Sequence, residues 1–238
     1  MGVSDPHCHT TASDGMVSPR QLVRSAVALG LDLIAVCDHD TMIAAAETQA
    51  CGEEVGLAVV AGQEVTTRWP AQTHVVGWFL EKPVKSGQSL AATVDAIQAQ
   101  GGLAILPHPF MPTYFASCQP EALVSLLTTH RLDGIELIHT APLGAGRRRR
   151  LERFCADHRD RVGALIGASD SHFGSHDLGR ALTEFPGRTA ADFHQAVLER
   201  RTVPRRGRRA SVPAGDALRQ QWRSLVDLPL RRLLGQFE

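Results

Sequence analysis

Six short clusters of His, Asp and Glu recur along the chain, and most follow an apolar, strand-like run. They read DPHCHTTASDG (residues 5–15), CDHD (37–40), GQEVTT (62–67), THVVGW (73–78), LPHPF (106–110) and GASDSH (167–172). The apolar runs at 33–36, 57–60, 74–79, 103–106, 134–138 and 162–166 predict strands. Helical patterns separate most of them. One starts at Ser18-Pro19, carries Leu22, Val23, Ala26 and Leu29 on one face and stops at Gly30. Others span 90–100, 147–158 and 192–200. Strand–helix alternation implies a parallel sheet with helices outside it, and about seven such units suggest a distorted or incomplete α/β barrel. The close pair of strands around Glu64 and His74 is expected to form a hairpin that interrupts the alternation. In such barrels chemistry sits at the carboxyl ends of the strands, which is where the clusters lie. Imidazoles and carboxylates suit Zn, Fe and Mn. Six clusters on successive strand ends therefore predict the wall of one metal site.

Composition is compatible with that reading. The 238 residues are 43% hydrophobic, enough for one substantial core. Lys plus Arg equals Asp plus Glu at 25 each, so no global attraction to nucleic acid or membrane follows. Lysine occurs only at Lys82 and Lys85, and the remaining positive charge is Arg, the better residue for forked contact with phosphate. The five cysteines have irregular spacing and no CxxC pair, which points to a reducing compartment. Cys8, between His7 and His9, is expected to face away from them. No apolar run reaches the length of a membrane span, and the chain opens on a strand and a motif, so the cytoplasm is the expected location. The barrel is expected over residues 1–204. Residues 205–238 form an Arg-rich segment and a terminal helix, its stripe of Leu218, Trp222, Leu225, Leu230 and Leu233 broken at Pro229 and packed on the barrel or a partner.

Taken in order, DPHCHTTASDG, DHDT (38–41), GQEVTT, LPHPF and SDSH (169–172) resemble the PHP family, named for polymerase and histidinol phosphatase domains. The likeness runs over about three quarters of the chain. It implies a distorted (β/α)7 barrel of the PHP type with two or three divalent ions (Mn, Fe or Zn). It also implies the ligands. His7, His9, Glu64 and Asp170 would hold a first metal. Glu64 would bridge to a second, completed by His74 and His108. Asp14, His39 and His172 would hold a third.

The HTTASDG form resembles the branch that removes phosphate from nucleotides such as AMP or adenosine 3′,5′-bisphosphate, some relatives of which trim RNA from its 5′ end. The inserted helical domain frequent in that branch has no room between His74 and His108. The implied activity is hydrolysis of a phosphate ester of a small metabolite by metal-activated hydroxide, with Asp170 and His172 as catalytic residues. The acid for the leaving group stays open among His172, His139 and a bound water. Arg68, after the Glu64 strand, is a candidate phosphate clamp. Arg147 and Arg148 open a helix, and His139 and His176 follow strand ends where substrate would lie.

A small phosphorylated substrate is expected, with no membrane and no long nucleic acid, because the arginines cluster late in the chain. Alternatives are a histidinol-phosphate-type phosphatase, 5′–3′ trimming of short RNA and, more remotely, an amidohydrolase-type C–N hydrolase, since HxH on a first barrel strand occurs there too. A non-catalytic, metal-stabilised module that docks a partner through its tail is a further option.

Overall fold

The computed structural model describes residues 1–112, 116–141 and 143–234. Nine strands run β1 (Gly2–Cys8), β2 (Leu33–Val36), β3 (Ala58–Thr66), β4 (His74–Trp78), β5 (Leu103–Leu106), β6 (Gly134–His139), β7 (Ala164–Ala168), β8 (Ala181–Phe185) and β9 (Val203–Arg206). The helices are α1 (Pro19–Ala28), α2 (Ala45–Glu53), α3 (Leu90–Gln98), α4 (Pro120–Thr129), α5 (Ala145–Asp157), α6 (Arg159–Val162), α7 (Ala190–Leu198), α8 (Ala214–Trp222) and α9 (Leu228–Leu233). None is long and apolar enough to cross a membrane, among the described residues.

The sheet order is β7-β6-β5-β4-β3-β2-β1-β8-β9. It is mixed rather than parallel. β4 runs antiparallel to both β3 and β5, and β8 runs antiparallel to β1 and β9. The β3–β4 hairpin matches the expectation from the sequence. β8 was not foreseen, because ALTEF is short and follows no helix. Nor were α2 and α4: α2 is alanine-rich and shows no clear apolar stripe.

The two ends of the sheet meet and nearly close it into a barrel. The Thr183 hydroxyl accepts from the Gly167 amide at 2.9 Å and donates to the Gly167 carbonyl at 2.8 Å. Further up, the Ser171 amide donates to the His7 carbonyl and the His9 amide donates to the Ser171 carbonyl. The Ser169 amide donates to the buried Asp5 carboxylate, as does that of Gly179.

Period-two alternation explains the interior. Leu33, Ala35, Val60, Val76, Trp78, Ile105 and Ile166 fill the lower barrel, and Phe185 and Phe193 close it from below. Going up the same faces, apolar residues give way to polar ones. Ala35 and Cys37 lead to His39, Val60 and Gly62 to Glu64, and Ile166 and Ala168 to Asp170. On the reversed strand β4 the order is Trp78, Val76, His74. A side chain at Gly62 would meet the Gly77 carbonyl oxygen at 2.6 Å, so only glycine fits beneath Glu64. Cys8 faces the opposite way, into the α1 layer with Leu22 and Val23, as expected. All five cysteines are free and buried.

The anticipated boundary after residue 204 falls inside β9, which pairs with β8 through Arg206. The tail also departs from the anticipated pattern. A π-helical turn (Arg223–Asp227) carries α8 directly into α9, so the helix continues through Pro229 instead of breaking there. The stripe of Leu218, Trp222, Leu225, Leu230 and Leu233 is exposed, while Gln220 and Leu228 are the buried residues among those described.

Candidate metal centre

All nine side chains singled out as ligands meet at the upper mouth of the barrel. Glu64 is at the middle and fully buried. Its Oε1 lies 2.9 Å from His74 Nδ1 and 3.0 Å from His108 Nε2. Its Oε2 lies 3.2 Å from His39 Nδ1 and 3.4 Å from both His7 Nε2 and His9 Nε2. Asp170 Oδ1 is 3.0 Å from His9 Nε2 and 3.5 Å from His7 Nε2. Asp14 Oδ1 is 3.2 Å from His172 Nε2.

Three groups bring their ligand atoms within 4.8 Å of one another: His7, His9, Glu64 and Asp170; His9, Asp14, His39 and His172; and His39, Glu64 and His74. The first coincides with the set implied for one metal. His9 and His39 each belong to two groups, which the sequence did not suggest. His108 joins through Glu64 alone.

Backbone geometry aims several of these residues. His108 breaks the alternation of β5 and sits between two prolines, with φ at 29°. Asp170 has φ at 54°. Non-glycine residues occupy this left-handed region only where the surroundings hold them there, and such strain concentrates at functional sites.

The donor set fits divalent cations. Buried His9 Nδ1, Asp14 Oδ1, His39 Nδ1, Glu64 Oε2 and His108 Nδ1 have no hydrogen-bond partner among the described residues. Leaving so many buried polar atoms unpaired costs several kcal/mol, on the order of 1–3 each. His7 Nε2 and His9 Nε2 also face each other at 3.1 Å. A shared cation satisfies two lone pairs that converge in this way.

Electrostatics in the metal-free cluster point the same way. Burial opposes charge on His172, yet the Asp14 and Asp170 carboxylates push the imidazole up to about 10. Burial likewise opposes charge on His7, and Asp170, Glu64 and Glu136 override it, raising the group well above its ordinary value. On His39 burial wins over Glu64 and Asp14, and the ring is pushed down to about 3. Burial would raise the Glu64 and Asp14 carboxyls, but the surrounding imidazoles hold both well below the usual carboxylate range.

Several supporting residues were not foreseen. Glu136 accepts at Oε1 from His7 Nδ1 at 2.8 Å and at Oε2 from the His108 amide at 2.7 Å. A lone carboxylate inside the apolar strand GIELIH was the available signal. Asp177 binds the Ser171 hydroxyl and the amides of His172 and Phe173. Asp38 binds the Thr10 and Ser13 hydroxyls, which fixes the loop that carries Asp14.

The substrate candidates scatter more widely. Arg68 is exposed at the rim of a shallow recess that includes Thr66 and Trp69. The Arg147 guanidinium donates to the Phe110 carbonyl at 3.3 Å. His176 is exposed on a short 3₁₀ turn. His139 and Arg148 line a cavity of about 790 Å³ together with Arg180, Arg206, Arg208 and Arg209. Burial pushes the His139 ring down to about 4. The late arginines were not expected to form a basic groove. Instead β9 folds back along β7 and β6 and brings them to the end of β6.

The family model for the PHP domain matches residues 5–201. The chain belongs to the PHP domain family. Among curated PHP relatives, a 5′-3′ exoribonuclease of Haemophilus influenzae is 36% identical over 102 residues, 42% of this chain and 37% of that protein. This chain thus aligns with little more than a third of that relative. A 3′,5′-nucleoside bisphosphate phosphatase of Chromobacterium violaceum is 27% identical over 218 residues, 81% of this chain and 73% of the other. The fold is that of a two-domain protein from Bacteroides vulgatus containing a predicted PHP-like metal-dependent phosphoesterase. The TM-score is 0.72 at 20% identity, over 93% of this chain and 69% of that one.

Proposed function

We propose that the chain, a PHP-type metal-dependent phosphoesterase, hydrolyses a phosphate monoester of a nucleotide of the AMP or adenosine 3′,5′-bisphosphate type. The observation that carries this reading is Glu64, whose two oxygens reach five imidazoles at 2.9 to 3.4 Å and which belongs to two of the three ligand groups. Neighbouring cation positions that share a carboxylate suit phosphoryl transfer, where attacking and leaving oxygens both carry charge. His7, His9, Glu64 and Asp170 would hold one ion; His39, His74, Glu64 and His108 a second; Asp14 and His172, with His9 and His39, a third. Divalent ions held there would supply a hydroxide near neutral pH and neutralise the phosphoryl oxygens.

The chain's own groups then have defined tasks. Asp170 and His172 stand on the open side of the cluster, 3.7 Å apart. Asp170 orients the phosphoryl group's surroundings. His172, held by the Asp177–amide contact, keeps Nδ1 on the Asp170 carbonyl and Nε2 beside Asp14, where the third ion would lie next to the leaving oxygen. Arg68, at the rim, is free to swing toward an anion. Five free, buried cysteines support a reducing, cytoplasmic setting.

Trimming of short RNA is a second reading, and the arginine cavity at the end of β6 favours it. Among the described residues, five cationic side chains line it with a single acidic one, Glu152. Further backbone phosphates of an oligonucleotide would find counter-charge there.

Protein loaded with Mn²⁺ is expected to release phosphate from a nucleotide panel and to lose that activity in chelator. A short 5′-phosphorylated RNA in the same panel separates the two readings. Turnover of the RNA over mononucleotides, falling steeply with salt, supports the second. Protein with metal demonstrably bound that cleaves no phosphate ester overturns both.

A further inference from the structure

The family match ends at residue 201, and the tail beyond β9 takes no part in the sheet, yet it lies against the metal centre. From α8, Gln220 Nε2 donates to Asp14 Oδ2 at 3.0 Å, and both residues are buried. Gln220 Oε1 in turn accepts from Gln221 Nε2 at 3.1 Å, so the amide turns its NH₂ and not its oxygen to the carboxylate. Asp14 Oδ1 is left facing three imidazoles: His172 Nε2 at 3.2 Å, His39 Nε2 at 3.7 Å and His9 Nδ1 at 3.9 Å.

Arg223 follows about one helical turn later. Its guanidinium donates to the carbonyls of Gly15, Thr11 and Ser13 at 2.9, 3.1 and 2.9 Å. A rigid fork of N–H groups suits several acceptors on one loop. The barrel holds the same loop through Asp38, which binds the Thr10 amide and the Thr10 and Ser13 hydroxyls. The loop that carries Asp14 is thus gripped both by the barrel and by the tail. Leu228, from α9, is buried as well, and with Ser224 it borders a recess that His39 and His74 also line.

We propose that Gln220 is a positioning residue of the metal centre and Arg223 its anchor: the tail fixes Asp14 as a one-oxygen ligand, so that a divalent cation at Asp14 and the docked tail hold each other in place. This rests on the phosphoesterase reading above and its third cation at Asp14 and His172. A carboxyl group turns easily about its last bond and can offer a cation either oxygen or both. The Gln220 contact takes Oδ2 and leaves Oδ1 for the cation. The donor also suits the charge. A lysine or arginine at this place would neutralise Asp14 and repel the ion, whereas an amide satisfies the buried oxygen and leaves its negative charge intact. Such coupling is reciprocal. If docking of α8 raises affinity for the cation, the cation tightens docking of α8 by the same factor.

Calorimetric titration of the full chain with Mn²⁺, with metal content measured alongside, reads the cation. Gln220→Met keeps the length and the helix but removes the donor. It is expected to weaken by about 10- to 100-fold the one ion that Asp14→Asn loses, and to leave the others unchanged. Arg223→Lys, which loses the fork, is expected to weaken the same ion. Hydrogen exchange reads the tail and needs no substitution. Mn²⁺ is expected to slow exchange of the α8 amides in the wild type and not in Gln220→Met. A Gln220→Met chain that loses thermal stability but keeps its affinity for that ion overturns the tail's role alone, as does wild-type exchange in α8 that Mn²⁺ leaves unchanged. An Asp14→Asn chain that loses no ion overturns the third cation and the tail's role together. None of these measurements reads turnover, so the phosphoesterase reading stands or falls separately.

Discussion

The Glu136 carboxylate holds the imidazole of His7 at Nδ1, 2.8 Å away, and so turns Nε2 toward Glu64 and Asp170. Its second oxygen accepts from the His108 amide, the backbone on which another ligand hangs. A residue that touches no cation position directly thereby aims two side chains that do. Glu136→Gln keeps the shape but can offer only one acceptor oxygen and no charge. Metal affinity is expected to fall by about 10- to 100-fold, the usual cost of losing such an orienting partner. Titration with Mn²⁺ followed by calorimetry checks this; an unchanged affinity would mean that packing alone aims His7.

Glu64 and Asp14 differ in how many ligand groups they serve. Glu64 belongs to two and Asp14 to one. Glu64→Gln is therefore expected to lower metal content at more than one position. Asp14→Asn should lower it at one only. Elemental analysis of the purified variants, scaled to protein, reads the difference directly. Equal losses would show that the ligand groups are not filled independently.

Protons compete with metal for this cluster. In the metal-free chain His172 keeps its proton to about pH 10 and His7 to well above its ordinary range, because carboxylates outweigh burial at both. His172 is thus protonated at pH 7, His7 is shifted in the same direction, and a ligand imidazole must be neutral. Metal binding at pH 7 is expected to release protons, and apparent affinity is expected to climb as pH rises. The charged imidazoles also carry stability of the metal-free fold that is fully present below the unfolded histidine value of about 6.5 and is lost as pH rises through the folded values. Calorimetry in buffers of different ionisation enthalpy measures the released protons. Binding enthalpies independent of the buffer would contradict the prediction.

Legibility of the site in the sequence followed from strand periodicity. His39, Glu64 and Asp170 each continue an alternation begun by core residues, so a reading of strands also reads the inward face. His108 escapes that rule because a positive φ between two prolines re-aims it; only the LPHPF motif marked it. Glu136 was hidden because a single acid in GIELIH looks like an interruption of a buried strand. Position along the chain misled elsewhere. Arg206, Arg208 and Arg209 come late, yet the return of β9 past β7 brings them to the end of β6. The tail's leucine stripe looked like a packing face. The fold buries Gln220 and Leu228 instead, since an amide that can reach Asp14 and an arginine that can cap three carbonyls decide which side turns inward.

The barrel seam offers a test of stability apart from the metal cluster. Thr183 bridges β8 to β7 by accepting from the Gly167 amide and donating to its carbonyl, and it is fully buried. Valine fills nearly the same volume but can do neither. Thr183→Val leaves two buried backbone groups without their partner, each costing on the order of 1–3 kcal/mol. A side chain cannot replace them from the far side either, because Gly167 has no room: a β-carbon there would sit 2.1 Å from the Leu182 carbonyl oxygen. The variant is expected to unfold at lower urea with an unchanged slope, a loss of about 2–6 kcal/mol in all. Denaturation of the metal-free protein measures it without interference from bound cations. A loss below about 0.5 kcal/mol would show that the seam is held by the Ser171 and His9 backbone bonds higher up, and that the two ends of the sheet join at the level of the ligands themselves.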